Sequence, residues 1–322
     1  VKTIVLAFEP DTLSNEQVDQ VRQLAPDDWR VVVTRDRDKL RALMDDVEIA
    51  AGWFPADMLS QVPGLRWYQQ WSAGADWLLS HPEAVEADFV LTNTSGIHAI
   101  QITEHVFAFL LAFARELPQA IRAQERRQWI PVQEHEQLFE LANKTLLLIG
   151  VGAIGERTAQ VAKALAMDVL GVRRDPTVGA PGVDTMFGPD QLSDVLPRAD
   201  FVVVTVPLTK ATRGMIAEDE LQAMKETAII INVGRGGTID EGALVEALRE
   251  GWIAGAGLDV FETEPLPESS PLWELDGVII SSHYAGVTPH YHERALEVFL
   301  DNLKRYTAGK PLRNVVDKER GY

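Results

Sequence analysis

The stretch TLLLIGVGAIG, residues 145–155, decides how the rest of the chain is read. Leu146, Leu147, Leu148 and Ile149 form a continuous apolar run, the composition of a strand buried on both faces. Gly150-Val151-Gly152-Ala153-Ile154-Gly155 follows with the spacing GxGxxG, and a helical pattern continues to about Ala166. Alone, the glycines describe a tight turn. Between a strand and a helix, with a second strand beyond, they predict a dinucleotide-binding βαβ unit. Glycines there let the backbone turn sharply and approach a pyrophosphate, which then faces the N–H groups at the helix start.

The second strand of that unit ends in Gly171-Val172-Arg173-Arg174, with Arg173 18 residues past Gly155. A carboxylate at this place would accept hydrogen bonds from the adenosine ribose. A guanidinium cannot accept them, but it can clamp a 2′-phosphate with paired charged hydrogen bonds. Arg173 and Arg174 therefore point to NADP, with NAD as the second candidate. The plainer reading is a solvated arginine pair, and Asp175 beside it can mute the effect by pairing.

Outward from this unit the chain shows two series of strands and helices. Strand patterns cover residues 2–8, 29–34, 47–53, 65–71 and 88–92, then 145–150, 168–172, 201–206, 228–233, 255–260 and 278–282. Helical patterns lie between several of them, so the fold class is α/β with parallel sheets. A long helical pattern at 98–116 stops near Pro118, and a polar stretch, 119–143, follows. The last helix, about 289–307, carries Ala295, Val298, Phe299, Asn302 and Leu303 on one side; periodicity leaves open which sheet it covers.

At 322 residues the chain is long enough for two domains. It has no cysteine, which removes disulfides, thiolate metal sites and cysteine nucleophiles and fits a reducing compartment. Its 48 acidic and 30 basic residues give a net charge of −18, a field that repels nucleic acid and anionic lipid. No run is long enough to span a membrane and no signal-peptide pattern opens the chain, so the cytoplasm is the expected address. Metal chemistry is disfavoured: HExxH is absent, and His290 and His292, two apart, fall on different faces of a helix.

Three later strand ends carry chemistry. The strand at 228–233 runs into Gly234-Arg235-Gly236-Gly237; the next leads through Asp259 to Glu262-Thr263-Glu264-Pro265; the last reaches His283-Tyr284-Ala285-Gly286. Open α/β sheets bind ligands at the carboxyl ends of their strands. Hydride reduction of a 2-keto acid needs a cation for the carboxylate, an acid for the carbonyl oxygen, and a partner that keeps that acid protonated. Singly, each residue is more readily a surface charge, a loop residue or a structural histidine. Three together beyond a glycine fingerprint fit the chemistry.

With these residues the chain resembles the D-isomer-specific 2-hydroxyacid dehydrogenase family, particularly its glyoxylate/hydroxypyruvate reductase-like members. The matching stretches are residues 148–155, 204–208, INVGRGGTIDEGA at 231–243, GAGLDVFETEP at 255–265 and 282–286, with the tail 306–322. The resemblance implies Arg235 as the substrate-binding cation, Glu264 rather than Glu262 as the partner of His283, and His283 as the proton donor. It implies backbone N–H groups of Ala73, Gly74 and Ala75, in Ser72–Asp76, as holders of the substrate carboxylate. It implies cofactor contacts from Ala153, Ile154, Arg173, Arg174, Val206, Pro207, Thr212, Val233, Gly234, Arg235, Asp259, His283, Ala285 and Gly286. Two positions depart from the family: Ser282 stands where proline is frequent, and Tyr284 where a smaller aliphatic residue is common, which bears on substrate choice.

The same resemblance implies a discontinuous layout. Residues 1–98 with 289–322 would form the substrate domain and 99–288 the dinucleotide-binding domain, with a cleft between them and hinges near His98 and Thr288. It implies a homodimer, embraced by the arm with Arg126, Arg127 and Trp129. Trp53, Phe54 and Trp71 are aromatic candidates for the pocket, although aromatics at strand ends are more often core. The expected reaction is NADPH-dependent reduction of a small 2-keto acid to the D-2-hydroxy acid. Oxidation of formate or phosphite on the same scaffold, or a dinucleotide-sensing corepressor-like role, stays open on these residues.

Overall fold

Apolar runs without a polar face belong inside a sheet covered on both sides, and each strand pairing among the described residues is parallel. The computed structural model describes residues 1–131, 133, 135 and 138–322. The chain divides into two units, residues 1–97 with 288–322, and residues 98–287.

The first unit holds β1 (Thr3–Ala7), β2 (Arg30–Val33), β3 (Val47–Gly52), β4 (Trp67–Gln70) and β5 (Val90–Thr92), in the spatial order β2-β1-β3-β4-β5. Alternate residues of β1 feed opposite cores. Ile4 and Leu6 join Val18 and Val21 of the helix Asn15–Leu24 and Ala295, Leu296, Phe299 and Leu303 of the last helix, Tyr291–Thr307. Val5 and Ala7 face Leu40, Leu59 and Leu91. The last helix thus covers the five-stranded sheet. Its buried stripe includes Leu296, whereas Val298 is only half-buried, a correction to the expected face. Steps of three, four and seven residues from Leu296 keep Phe299 and Leu303 on one side, and Val298 lies off that stripe. Asn302 is fully buried; its amide donates to Gln69 Oε1 (3.1 Å) and to the Arg313 carbonyl (3.0 Å), and so ties the tail to the sheet.

The second unit holds β6 (Thr145–Ile149), β7 (Asp168–Val172), β8 (Thr185–Phe187), β9 (Phe201–Val204), β10 (Ile229–Asn232), β11 (Gly255–Leu258) and β12 (Val278–Ile280), in the order β12-β11-β10-β9-β6-β7-β8. β8 is absent from the sequence reading, being a three-residue edge strand with an exposed Thr185. Leu146 and Leu148 face the helices Ala99–Ala114 and Ala153–Ala164, while Leu147 and Ile149 face the opposite core. The two helices are also joined by Thr103 Oγ1 and Thr158 Oγ1 at 3.1 Å. The stretch read as polar after Pro118 opens with a further helix, Leu117–Glu125. Glu116 breaks the preceding helix in the left-handed region (φ 50°), and Pro118 then falls in the first turn, where its missing N–H is not needed. Of the rest of that stretch, Val132, Glu134, Glu136 and Gln137 lie outside the described residues. Arg126 and Arg127 follow the helix and Trp129 is 92% exposed. Among the described residues no helix is long and apolar enough to cross a membrane.

Candidate active site

β10, β11 and β12 are neighbours, so their carboxyl ends bring three distant stretches of sequence to one edge. Past β10, Asn232 holds a turn: its Oδ1 accepts the Gly234 N–H (3.0 Å) and its Nδ2 donates to the Arg235 carbonyl (3.1 Å). Thr238 Oγ1 donates to that carbonyl too, at 2.6 Å. Arg235 is half-buried and its Nη1 donates to the Gly234 carbonyl at 2.9 Å. A Cβ at Gly236 would lie 1.9 Å from the carbonyl carbon of Phe261, so only glycine lets this turn press on the loop after β11.

That loop positions a carboxylate. Glu264 Oε1 accepts the Phe261 N–H at 3.0 Å, and Oε2 meets His283 Nδ1 at 2.6 Å. One oxygen is fixed by backbone and the other orients the imidazole through Nδ1, so Nε2 is the ring nitrogen on the side away from Glu264. Glu262 turns elsewhere, accepting the Glu241 N–H at 3.2 Å. The side chains of Glu264 and His283 are 34% and 48% exposed, open enough for a ligand to reach.

Asp259, 1% exposed, organises the loop that carries His283. Its carbonyl accepts the His283 N–H (2.8 Å), Oδ1 the Tyr284 N–H (3.1 Å) and Oδ2 the Ala285 N–H (3.0 Å). Gly286 is held through its carbonyl by Gln101 Nε2 at 3.1 Å. Ser281 Oγ donates to Asp259 Oδ1 at 2.6 Å and also meets His105 Nε2 at 2.8 Å. Burial pushes the His105 imidazole below its ordinary pKa, with the Asp259 charge opposing. Sequence reasoning missed His105. A histidine on an apolar helix carries no signal until Ser281 arrives from 176 residues away.

At the glycine loop the three glycines are held differently. Gly150 has φ 101°, and a Cβ on it would meet Thr205 Oγ1 at 2.8 Å. A Cβ on Gly155 would lie 2.3 Å from the Gly150 carbonyl oxygen. A Cβ on Gly152 would meet nothing within 4 Å. The space beside Gly152 lies at the start of the helix opened by Ala153 and Ile154, so these residues fit a bound pyrophosphate. Val206 and Pro207 follow β9, with Thr212 Oγ1 donating to the Pro207 carbonyl at 2.6 Å. Val233 is buried, and a Cβ on Gly234 would come within 2.9 Å of the Val206 carbonyl oxygen. Arg173 and Arg174 follow β7, half-buried and exposed respectively. The Asp175 carboxylate receives the Thr177 hydroxyl (2.6 Å) and N–H (3.0 Å), which with the two arginines hold it below the usual carboxylate range.

In the first unit, the loop after β4 is set by side-chain amides. Gln70 Nε2 donates to the carbonyls of Ser72 (3.0 Å) and Gly74 (2.7 Å), and Asn93 Nδ2 to that of Ala73 (2.8 Å). Ala73 and Gly74 are half-buried and Ala75 is buried. A cavity of about 530 Å³ adjoins this loop, lined by Trp53, Phe54, Gln70, Ser72 and Trp77 among others. Trp53 is 40% exposed there, whereas Trp71 is fully buried and packs edge-on against Phe8. Trp71 is therefore core, not a lining residue. Among the described residues no three His, Asp or Glu side chains gather as a metal site would.

The family model described as "D-isomer specific 2-hydroxyacid dehydrogenase, NAD binding domain" matches residues 107–285. A glyoxylate reductase of Korarchaeum cryptofilum is 34% identical over 311 residues, which is 94% of this chain and 90% of that protein. A D-isomer specific 2-hydroxyacid dehydrogenase from Xanthobacter autotrophicus, solved with NADPH and MES, is 30% identical with a TM-score of 0.84, covering 100% of this chain and 99% of its own. An NADPH-dependent glyoxylate/hydroxypyruvate reductase from Sinorhizobium meliloti, solved with NADP and sulfate, is 25% identical with a TM-score of 0.84, covering 100% of both chains.

Proposed function

Since the chain belongs to the D-isomer specific 2-hydroxyacid dehydrogenase family, we propose that it reduces a small 2-keto acid of the glyoxylate/hydroxypyruvate class to the D-2-hydroxy acid, using NADPH. The observation that carries this reading is the His283 Nδ1–Glu264 Oε2 contact of 2.6 Å beside the Arg235 turn. When bound, the reduced nicotinamide supplies a hydride to the carbonyl carbon. Arg235 holds the substrate carboxylate and draws charge toward the carbonyl oxygen. His283 passes the Nε2 proton to that oxygen as negative charge develops on it, and the Glu264 carboxylate stabilises the imidazolium beforehand. One hydride and one proton added to the keto acid give the hydroxy acid, and His283 is reprotonated from solvent.

The first unit contributes the backbone N–H groups of Ala73, Gly74 and Ala75 for the substrate carboxylate, and Trp53 for its side chain. Support comes from the three hydrogen bonds, donated by side-chain amides, that turn this loop's carbonyls toward Gln70 and Asn93. Gly150, Gly152 and Gly155, with the residues after β9, β10 and β12, hold the dinucleotide; Arg173 and Arg174 clamp its 2′-phosphate, which favours NADPH over NADH. A freely diffusing dinucleotide supports a cytoplasmic address, and the family likeness with exposed Trp129 supports a homodimer.

The test is turnover of glyoxylate and hydroxypyruvate with NADPH and NADH by wild type and His283→Gln. The wild type is expected to turn over both acids and to prefer NADPH. His283→Gln is expected to lose about 10²–10⁴-fold in kcat while its NADPH affinity stays within about twofold. Near-wild-type kcat in His283→Gln would discard the proton-donor role.

A further inference from the structure

We propose that His105 is a positioning residue for this reaction: through Ser281 it aims the Asp259 carboxylate, and through Asp259 it holds the backbone that carries His283. The inference rests on the reading of His283 as proton donor and concerns a side chain which that reading does not use.

The hydrogen bonds run in one direction. Ser281 has a single hydroxyl proton, and the 2.6 Å contact to the carboxylate oxygen of Asp259 takes it. The remaining 2.8 Å contact at Ser281 Oγ must then be donated by His105 Nε2–H. Ser281 is 5% and Asp259 1% exposed, so water does not substitute readily for either link. Asp259 in turn accepts the N–H groups of three consecutive residues, His283, Tyr284 and Ala285.

What they hold is strained. His283 sits at φ 54°, in the left-handed region that a side chain other than glycine adopts only when its surroundings impose it. The proton donor's ring direction follows from that backbone, and the carboxylate that fixes the backbone is aimed by the serine and the histidine. His105 is itself held: Phe109 and Tyr284 meet its ring edge-on at 4.7 and 5.3 Å between centroids. The helix beneath it is joined to its neighbour through Thr103 and Thr158. The same aromatic packing would accept a leucine, so volume alone does not require histidine here; the N–H does.

The experiment compares His105→Leu, which fills the site without a donor, with His105→Gln, which offers an amide N–H. Ser281→Ala cuts the next link by removing one hydroxyl, and it serves even if His105→Leu does not fold. Steady-state kinetics with NADPH and glyoxylate on the full chain are expected to show kcat reduced about tenfold in His105→Leu and in Ser281→Ala. His105→Gln is expected within about threefold of wild type. The double variant His105→Leu/Ser281→Ala should be little worse than either single one, since both cut the same chain.

Equal kcat in His105→Leu and His105→Gln, or wild-type kcat in Ser281→Ala, would overturn the proposal, as would losses that multiply in the double variant. His283→Gln is assayed alongside. If it is inactive while the His105 and Ser281 variants keep full kcat, only the positioning role fails; if it is active, the reading of His283 fails first.

Discussion

Two loops with glycine at the carboxyl ends of strands, one after β6 and one after β4, are built by different means. The loop after β6 is shaped by its own backbone: φ 101° at Gly150, and no room for a Cβ at Gly155. The loop after β4 is shaped from behind, by Gln70 on the carbonyls of Ser72 and Gly74 and by Asn93 on that of Ala73. The first kind of constraint fixes residue types at fixed spacing and writes a motif into the sequence. The second is carried by two amides 23 residues apart, which meet because β4 pairs with β5.

The most damaging way to break the first loop is Gly155→Ala. The added methyl would sit 2.3 Å from the Gly150 oxygen, which already accepts the Thr205 hydroxyl at 2.8 Å. The carbonyl oxygen and carbon that the methyl would meet are backbone, so the helix start must move away from the strand. We expect a loss of about 2–3 kcal/mol in urea unfolding, with dinucleotide binding lost in step. An unchanged midpoint would mean that the loop yields freely and that glycine is not needed there for packing.

The same contrast explains what could be read from the sequence. Strands such as Ile229–Asn232 and Phe201–Val204 were legible because runs buried on both faces have no polar period to confuse them. β8 was not, since Thr185-Met186-Phe187 is short and only partly covered. The helix Leu117–Glu125 was hidden by Pro118, which marks a stop and a start equally well. At the site, Arg235, Glu264 and His283 stood out because each follows the carboxyl end of a strand, Arg235 and Glu264 beside glycine or proline. Trp53, Phe54 and Trp71 share that setting, yet they range from 40% exposed to fully buried, and only the fold tells them apart. His105 and Gln70 act through partners brought by tertiary structure, which local pattern does not encode.

Gln70→Ala tests the second loop with a smaller effect. It removes the donor to two carbonyls and the Oε1 that accepts the Trp77 indole N–H at 2.8 Å. We expect about 1–2 kcal/mol less stability, because loop carbonyls regain water in part. The more telling readout is kinetic: KM for the keto acid should rise about tenfold with kcat changed less, the mark of lost ground-state binding. A fall in kcat at constant KM would place Gln70's influence on the chemical step instead of on carboxylate binding.

The smallest effect on stability sharpens the comparison most. Gly152 lies at φ −97° and ψ −157°, extended backbone that alanine adopts without strain, and its Cβ would meet no protein atom within 4 Å. Gly152→Ala should therefore leave the fold as stable as before, or raise it by up to about 0.5–1 kcal/mol through a less flexible unfolded chain. Nothing in the folded protein requires glycine here, so a requirement for it can come only from a ligand. The methyl would occupy the space at the helix start where a pyrophosphate reaches the backbone N–H groups, and dinucleotide affinity should fall at least about tenfold. Calorimetric titration with NADPH beside thermal unfolding separates the two quantities. If affinity were unchanged, the phosphates would lie elsewhere and the middle glycine would be a feature of the turn alone. If stability fell with it, Gly152 would belong with Gly155, and the division between glycines that shape the loop and the one that leaves room for a ligand would be lost.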